Sequence, residues 1–190
     1  MAMSFIILSV LLVLFAILAV YDGFYLHIFK YQLHNHAESR FEHITHTLRA
    51  IFFPAIVFFL FVMQDCNTSF FIGITLILLD IIVLGMDAFS ETDSRKFMGE
   101  LPRWEYILHL FVNGFHFATI ALFLAIKIKI DDNGWSLIQN FEGVKHHATF
   151  VFIAQNLLPG AILIAILHIL TLFSSTKIYW NNLRARVACC

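Results

Sequence analysis

Long apolar runs separated by short polar stretches dominate the chain, and they predict its helices. A run of about 20 apolar residues is long enough to span a bilayer as an α-helix. Five spans are predicted on this basis, at residues 3–21, 40–63, 70–89, 104–126 and 148–174. In the second, the apolar run is short, from Arg49 to Met63, so its helix must begin earlier. Because backbone groups inside a bilayer must be hydrogen-bonded within the protein, helices are the expected form. We predict an all-α integral membrane protein, a five-helix transmembrane bundle in a single domain of residues 1–190.

The stretch from Asp22 to Arg49 departs from this pattern because polar residues are frequent in it. From Phe24 to Leu33, aromatic and aliphatic residues alternate with polar ones, which is typical of an interfacial helical segment or an extension of the first helix. Ser39-Arg-Phe-Glu42 matches the S-x-x-E capping box. The second helix should therefore begin near Ser39, with Glu42 as a capping residue.

Composition supports a membrane protein and excludes other classes. The chain is 60% hydrophobic and 13% charged, whereas about a quarter of the residues in soluble domains are charged. The formal net charge is −1, so nothing indicates a nucleic-acid partner. The expected partners are membrane lipids and an apolar small-molecule substrate.

Lysine and arginine are concentrated on one side of the predicted bundle. That side carries Lys30, Arg40, Arg49, Arg95, Lys96, Arg103, Lys177, Arg184 and Arg186. The opposite side carries Lys127, Lys129 and Lys145. The positive-inside rule then predicts an outside N-terminus and a cytoplasmic C-terminus. We expect a multi-pass protein of a bacterial inner membrane.

The cysteine pattern gives no metal motif. Cys66 stands in a short predicted loop, and Cys189 and Cys190 follow the last helix without a C-x2-C spacing. The predicted topology puts Cys66 on the opposite side from the pair, which excludes a disulfide between them. The pair is expected to be solvated, with acylation as the alternative.

Titratable residues recur at one predicted depth, near the cytoplasmic ends of the helices. Such residues are costly in a membrane and usually face the bundle interior, and imidazole with carboxylate is ligand chemistry for zinc or iron. The first-choice metal ligands are His43, His46, Asp80, His109 and His168. Further candidates, as ligands or as groups that orient them, are Asp87, Glu105, His116, Asp22 and His27. This set is rich enough for two metal ions.

Known metal-binding motifs are absent from the sequence. The order Glu42-His43-x-x-His46 is not HExxH, and no Glu-x-x-His pair occurs. In being rich in cytoplasm-facing histidines, the chain is similar to the histidine-box membrane desaturases and hydroxylases. Their H-x3-H and H-x2-H-H boxes are missing, and the helices are too few for the seven-helix ceramidase and adiponectin-receptor type of hydrolase. No family is recognised.

Three functions remain open at this point. The first is a membrane metalloenzyme that uses iron or zinc, as a mononuclear or a dinuclear centre, on a lipid or other apolar substrate. The second is a b-type haem electron-transfer protein, with His116 and another deep histidine as axial ligands. The third is a proton- or cation-coupled transporter that uses Asp80, His116 and His168 as a relay. A partner or assembly protein is a fourth, weaker alternative.

Overall fold

The computed structural model describes residues 1–132 and 134–188, which are 81% helical. Five of its helices are long and apolar enough to cross a membrane. They are α1 (Ala2–Ala19), α2 (Arg40–Ile56), α3 (Asn67–Arg95), α4 (Arg103–Lys127) and α5 (His147–Thr171). The all-α bundle and its five membrane-span-like helices agree with the prediction.

Helical structure extends beyond the predicted spans in three places. The chain after α1 continues as wider π-helical turns over Val20–Lys30, so the segment expected at an interface extends the first helix. Helix α3 ends at Arg95 and not at residue 89. A sixth helix, α6 (Ser174–Ala188), follows α5. The end of α3 and helix α6 are polar, and a search for apolar runs does not detect them.

Helix α6 packs against the segment that follows α1. The Lys177 ammonium donates to the His34 carbonyl over 3.1 Å, and Arg184 Nε donates to the Phe29 carbonyl over 2.5 Å. His34 is buried, and its Nε2 lies 3.1 Å from Asn181 Oδ1. The C-terminal helix therefore covers the same end of the bundle as the polar stretch after α1.

A short β-hairpin joins α4 to the segment before α5. Strands β1 (Ile128–Asp131) and β2 (Gly134–Leu137) pair antiparallel, with Ile128 opposite Leu137. Gly134 has a φ of +108°, which glycine adopts without strain. The buried Lys127 ammonium donates to the Gln64 carbonyl over 2.5 Å and also to the Ile138 carbonyl, which ties the hairpin to the loop after α2.

The hairpin end of the bundle has an aromatic core. Phe5, Phe61, Phe123, Phe141 and Phe150 are buried there. Ring centroids are 5.1 Å apart for Phe61 and Phe123 and 5.8 Å apart for Phe5 and Phe150. Packed rings fill this half, and apart from Lys127 the buried titratable residues among the described ones lie in the other half.

Cys66 precedes α3 as an exposed free thiol. Backbone N–H groups of Ser69 and Thr68 at the start of the helix lower the pKa of this thiol. Cys189 and Cys190, with the predictions made for them, lie outside the described residues.

Candidate metal site

Most of the buried titratable side chains in the described part of the chain fall into three groups. We call the largest the central cluster; it consists of Asp22, His27, Glu42, His46, Asp87, Glu91, Arg95, Glu105 and His109. The Asp80 group consists of Arg49, Asp80, Asn113 and His116. The His43 group consists of His34, His43, His168 and Thr171.

The first possible metal-binding triad in the central cluster is Asp22, His27 and His109. Asp22 Oδ1 lies 3.3 Å from His27 Nε2 and 3.0 Å from His109 Nε2. One ligand atom from each residue lies within 4.8 Å of the others. Two atoms bound tetrahedrally to one zinc ion at about 2.0–2.2 Å would lie roughly 3.3–3.6 Å apart. The triad is thus close to the spacing that a bound ion requires.

The second triad is His27, Glu42 and His46, so the two triads share His27. The His27 and His46 rings are 3.9 Å apart, and His46 Nε2 lies 4.0 Å from Glu42 Oε1. Asp87 Oδ2 lies 3.3 Å from the same His46 nitrogen and is a further carboxylate at this triad. The Thr45 hydroxyl donates a hydrogen bond to the other Asp87 oxygen over 2.5 Å, and this bond fixes the orientation of the Asp87 carboxylate.

Glu42 does not have the role that the sequence suggested. Ser39 is the residue before α2, as predicted, but its hydroxyl donates to the Ser94 carbonyl over 2.9 Å and not to the helix. The Glu42 side chain is fully buried and pairs with Arg95 and Ser94. The predicted capping box is therefore wrong, and Glu42 belongs to the central cluster.

Glu91 is a member of the cluster that sequence reasoning missed. Its Oε1 lies 2.5 Å from His109 Nδ1, on the side of the ring opposite to Asp22. A carboxylate on the second nitrogen is the usual way in which proteins orient a metal-binding histidine. The signal that could have found Glu91 is the four-residue spacing of Asp87, Glu91 and Arg95, which places them on one face of a longer α3.

Arg95 is the permanent cation of the central cluster and is almost fully buried. Its Nε lies 3.0 Å from Glu42 Oε1, and its Nη2 lies 2.9 Å from Glu105 Oε1. The same Nη2 lies 3.1 Å from His27 Nε2. A metal ion in the second triad and the guanidinium would thus share Glu42 and His27 as neighbours.

The charges of the central cluster do not balance. Among the described residues, the cluster combines five carboxylates, from Asp22, Glu42, Asp87, Glu91 and Glu105, with the one guanidinium of Arg95. With neutral imidazoles this is an excess of four negative charges. Buried, unpaired charges cost several kcal/mol each in an apolar interior. The cluster therefore needs bound protons or bound cations.

The Asp80 group lies outside both triads. Asp80 accepts from Arg49 Nε over 3.2 Å, and its other oxygen lies 3.1 Å from His116 Nε2. Arg49 Nη2 donates to Asn113 over 2.7 Å. Two of the predicted ligands, Asp80 and His116, are thus brought together, but in an ion-paired network of their own.

The His43 group also lies outside both triads. The His43 and His168 rings are stacked 5.6 Å apart, and His43 Nε2 lies 3.1 Å from the Thr171 hydroxyl. His43 and His46 lie about 60° apart around α2. His43 therefore contacts α5, whereas His46 contacts α3 and the segment after α1.

A cavity of about 190 Å³ connects these groups. Its apolar wall comes from α1, α2 and α5 and includes Phe15, Ala19, Phe53, Leu157 and Ala161. Its polar side is formed by Asp22, His46, Arg49, Asp80, His116 and His168. The cavity therefore has apolar walls on one side and borders the central cluster at Asp22 and His46.

No protein-family model, curated protein or solved structure matches this chain. The fold and the site define a helical protein with five membrane-span-like helices and possible His/Asp/Glu metal-binding groups. Function is therefore inferred from the geometry of the central cluster and of the cavity beside it.

Proposed function

We propose that this chain is a membrane-embedded metalloprotein, and specifically a metal-dependent enzyme that acts on a lipid or another apolar substrate. The observation that carries the proposal is the pair of triads that share His27 in a buried cluster beside an apolar cavity. Imidazole and carboxylate ligands suit iron or zinc. Such an ion supplies Lewis acidity for hydrolysis, or oxygen chemistry in the case of iron.

The charge excess supports two ions per chain. Two divalent cations would neutralise the four excess negative charges of the central cluster. The first ion would be held by Asp22, His27 and His109, with Glu91 orienting His109. The second would be held by Glu42, His46 and Asp87 beside His27. Glu105 remains the partner of Arg95.

The proposed orientation places the central cluster toward the cytoplasm of a bacterial cell, with the N-terminus outside. Its support is the distribution of basic residues. Arg95 and Lys96 end α3, Arg103 begins α4, and Lys177 and Arg184 lie on α6. Contacts of α6 with Phe29 and His34 place its basic residues at the same end as the cluster.

The haem and transport alternatives receive less support from the geometry. His116, the proposed axial ligand, is bonded to Asp80, and the cavity of about 190 Å³ is small. Pockets for ligands of drug size, which are smaller than haem, have volumes of about 300–1,000 Å³. A transport path would have to cross the aromatic core formed by Phe61, Phe123 and its neighbours.

Elemental analysis and a visible spectrum of the purified protein test the proposal. We expect iron or zinc at about two equivalents per chain, from the charge argument above. His109→Ala removes a ligand of the first triad only and should lose about half of the metal. His116→Ala is the matched control, because His116 is a buried α4 histidine outside both triads. A protein that neither retains nor takes up stoichiometric metal would contradict the proposal, and a Soret band would favour haem.

Removal of the Glu91 carboxylate should weaken metal binding without abolishing it. In Glu91→Gln, His109 loses its charged partner at Nδ1, so its ring orientation and basicity are no longer fixed. Loss of such an orienting group costs about 10–100-fold in metal affinity. The affinity can be measured by competition with a chelator of known strength. Glu38→Gln is the matched control, because Glu38 is an exposed glutamate just before α2, and it should leave the metal affinity unchanged.

A further inference from the structure

We propose that the cavity binds an alkyl or isoprenoid chain that reaches it sideways from the bilayer, through a window between α1 and α5. This inference rests on the proposed membrane location and deepens the proposed function by naming the substrate class and its route. Binding of the chain does not depend on the metal, because the apolar wall of the cavity and the window are formed by residues outside both triads.

The window is framed by two contacts between α1 and α5, which run in the same direction. At the hairpin end the Phe5 and Phe150 rings lie 5.8 Å apart. Near the central cluster Gly23 packs on His168, whose Nε2 would lie 3.7 Å from a Cβ at that glycine. The cavity lies between these two levels.

Small residues keep the window open. Ala16 and Ala19 on α1 and Gly160 and Ala161 on α5 all line the cavity. A Cβ at Gly160 would have no atom within 4 Å, so there is empty space beside it. Gly160 and Val20 line the cavity and are also exposed on the surface, which shows that the cavity reaches the outside there.

The surroundings of the window are apolar. Ile17 on α1 and Leu163 on α5 are more than half exposed, at 61% and 67%. In the proposed topology this surface faces acyl chains and not water. A ligand that comes through the window must therefore already be dissolved in the hydrocarbon.

The charged lining groups already have partners, and only Nδ1 of His168 lacks a hydrogen bond among the described lining residues, which favours a chain over a charged ligand. Arg49 is paired with Asp80 and Asn113, His116 with Asp80, and Asp22 with His27 and His109. A charged headgroup would have to compete with these buried ion pairs. An alkyl chain leaves them intact and fills the apolar side of the cavity.

The polar end of the cavity places a bound chain beside the central cluster. Asp22 belongs to the first triad and His46 to the second, and both line the cavity. A carbon or carbonyl group at that end of the chain would lie next to the proposed metal ligands. The substrate class is therefore a lipid that reacts along or at the end of its chain.

Photolabelling tests this site with a long-chain fatty alcohol that carries a diazirine, using the full-length protein in phospholipid vesicles. Labelled residues are located by peptide mass spectrometry. We expect saturable labelling of cavity residues on α1 and α5, which unlabelled fatty alcohol suppresses. Labelling of the lipid-facing surface around Leu163 should not saturate and serves as the internal reference.

Two variants and one control decide the outcome. Ala161→Trp should fill the cavity and reduce saturable labelling to background. Gly160→Leu, which adds a smaller side chain, should also reduce saturable labelling to background. Leu163→Trp, on the outer face of α5, should leave saturable labelling unchanged. Saturable labelling that survives in both cavity variants, or that never appears, overturns the inference. Labelling that persists in His27→Ala while metal is lost supports the chain site and separates it from the metal proposal.

Discussion

Replacement of His27 by alanine is expected to remove the first proposed metal ion and to weaken binding of the second. His27 is the residue common to both triads, so its loss leaves only Asp22 and His109 for the first ion, whereas Glu42, His46 and Asp87 remain for the second. Two protein ligands are fewer than the three that zinc retains even in open catalytic sites, so the first ion should be lost. Elemental analysis of the purified variant, with wild type prepared in parallel, measures the loss.

His43→Ala is the matched control for this experiment. His43 is as deeply buried as His27, at 3% and 1% exposed, but it lies in the stacked pair with His168. We expect His43→Ala to retain its metal while its thermal unfolding shows a comparable loss of stability. If His27→Ala keeps as much metal as the wild type, or if His43→Ala loses as much metal as His27→Ala, then the two triads are not the binding site.

The five spans could be predicted because each contains an apolar run, although in α2 this run follows several polar turns. The last turns of α3 and helix α6 could not be predicted, since their helicity depends on contacts with distant residues. In α6, Lys177 and Arg184 donate hydrogen bonds to the backbone carbonyls of His34 and Phe29. In the last turn of α3, Arg95 forms ion pairs with Glu42 and Glu105. Neither contact can be read from the local pattern of the sequence.

The central cluster was predicted only in part, for the same reason. Residues Asp22, His27, His46, Asp87, Glu105 and His109 were candidates and do come together. The prediction from membrane depth also included four residues that lie in the two neighbouring groups, namely His43, Asp80, His116 and His168. Which helix each side chain faces depends on the packing angles, and an error of one residue in a helix start turns the side chains by about 100°.

Glu42 shows how a local motif can mislead. The S-x-x-E pattern is a real signal for a helix start, and α2 does begin at Arg40. The carboxylate nevertheless pairs with Arg95, which is 53 residues away in the chain. A bidentate pair with arginine is stronger than a bond to one backbone N–H, so the tertiary contact takes precedence over the cap.

Replacement of Arg95 by methionine is expected to destabilise the metal-free protein by about 3–5 kcal/mol, the usual cost of removing one partner of a buried ion pair. Methionine keeps much of the side-chain volume and removes the charge. Glu42 and Glu105 then lose the guanidinium that lies 2.9 Å from each of them. The free energy of unfolding can be followed by denaturant titration of the detergent-solubilised protein. Arg103→Met, at an exposed arginine at the start of α4, should change stability by no more than about 0.5 kcal/mol.

Added zinc or iron should restore part of the stability of Arg95→Met. The methionine variant has one more excess negative charge than the wild type, and a metal ion can approach Glu42 and His27 without competition from the guanidinium. A ligand present at 100 times its Kd stabilises the folded state by about 2.7 kcal/mol. We therefore expect the stability difference between Arg95→Met and wild type to narrow as metal is added. If metal restores nothing, or if the metal-free variant is as stable as the wild type, then the guanidinium is not the counter-ion of this cluster, and its carboxylates are neutralised by protons instead.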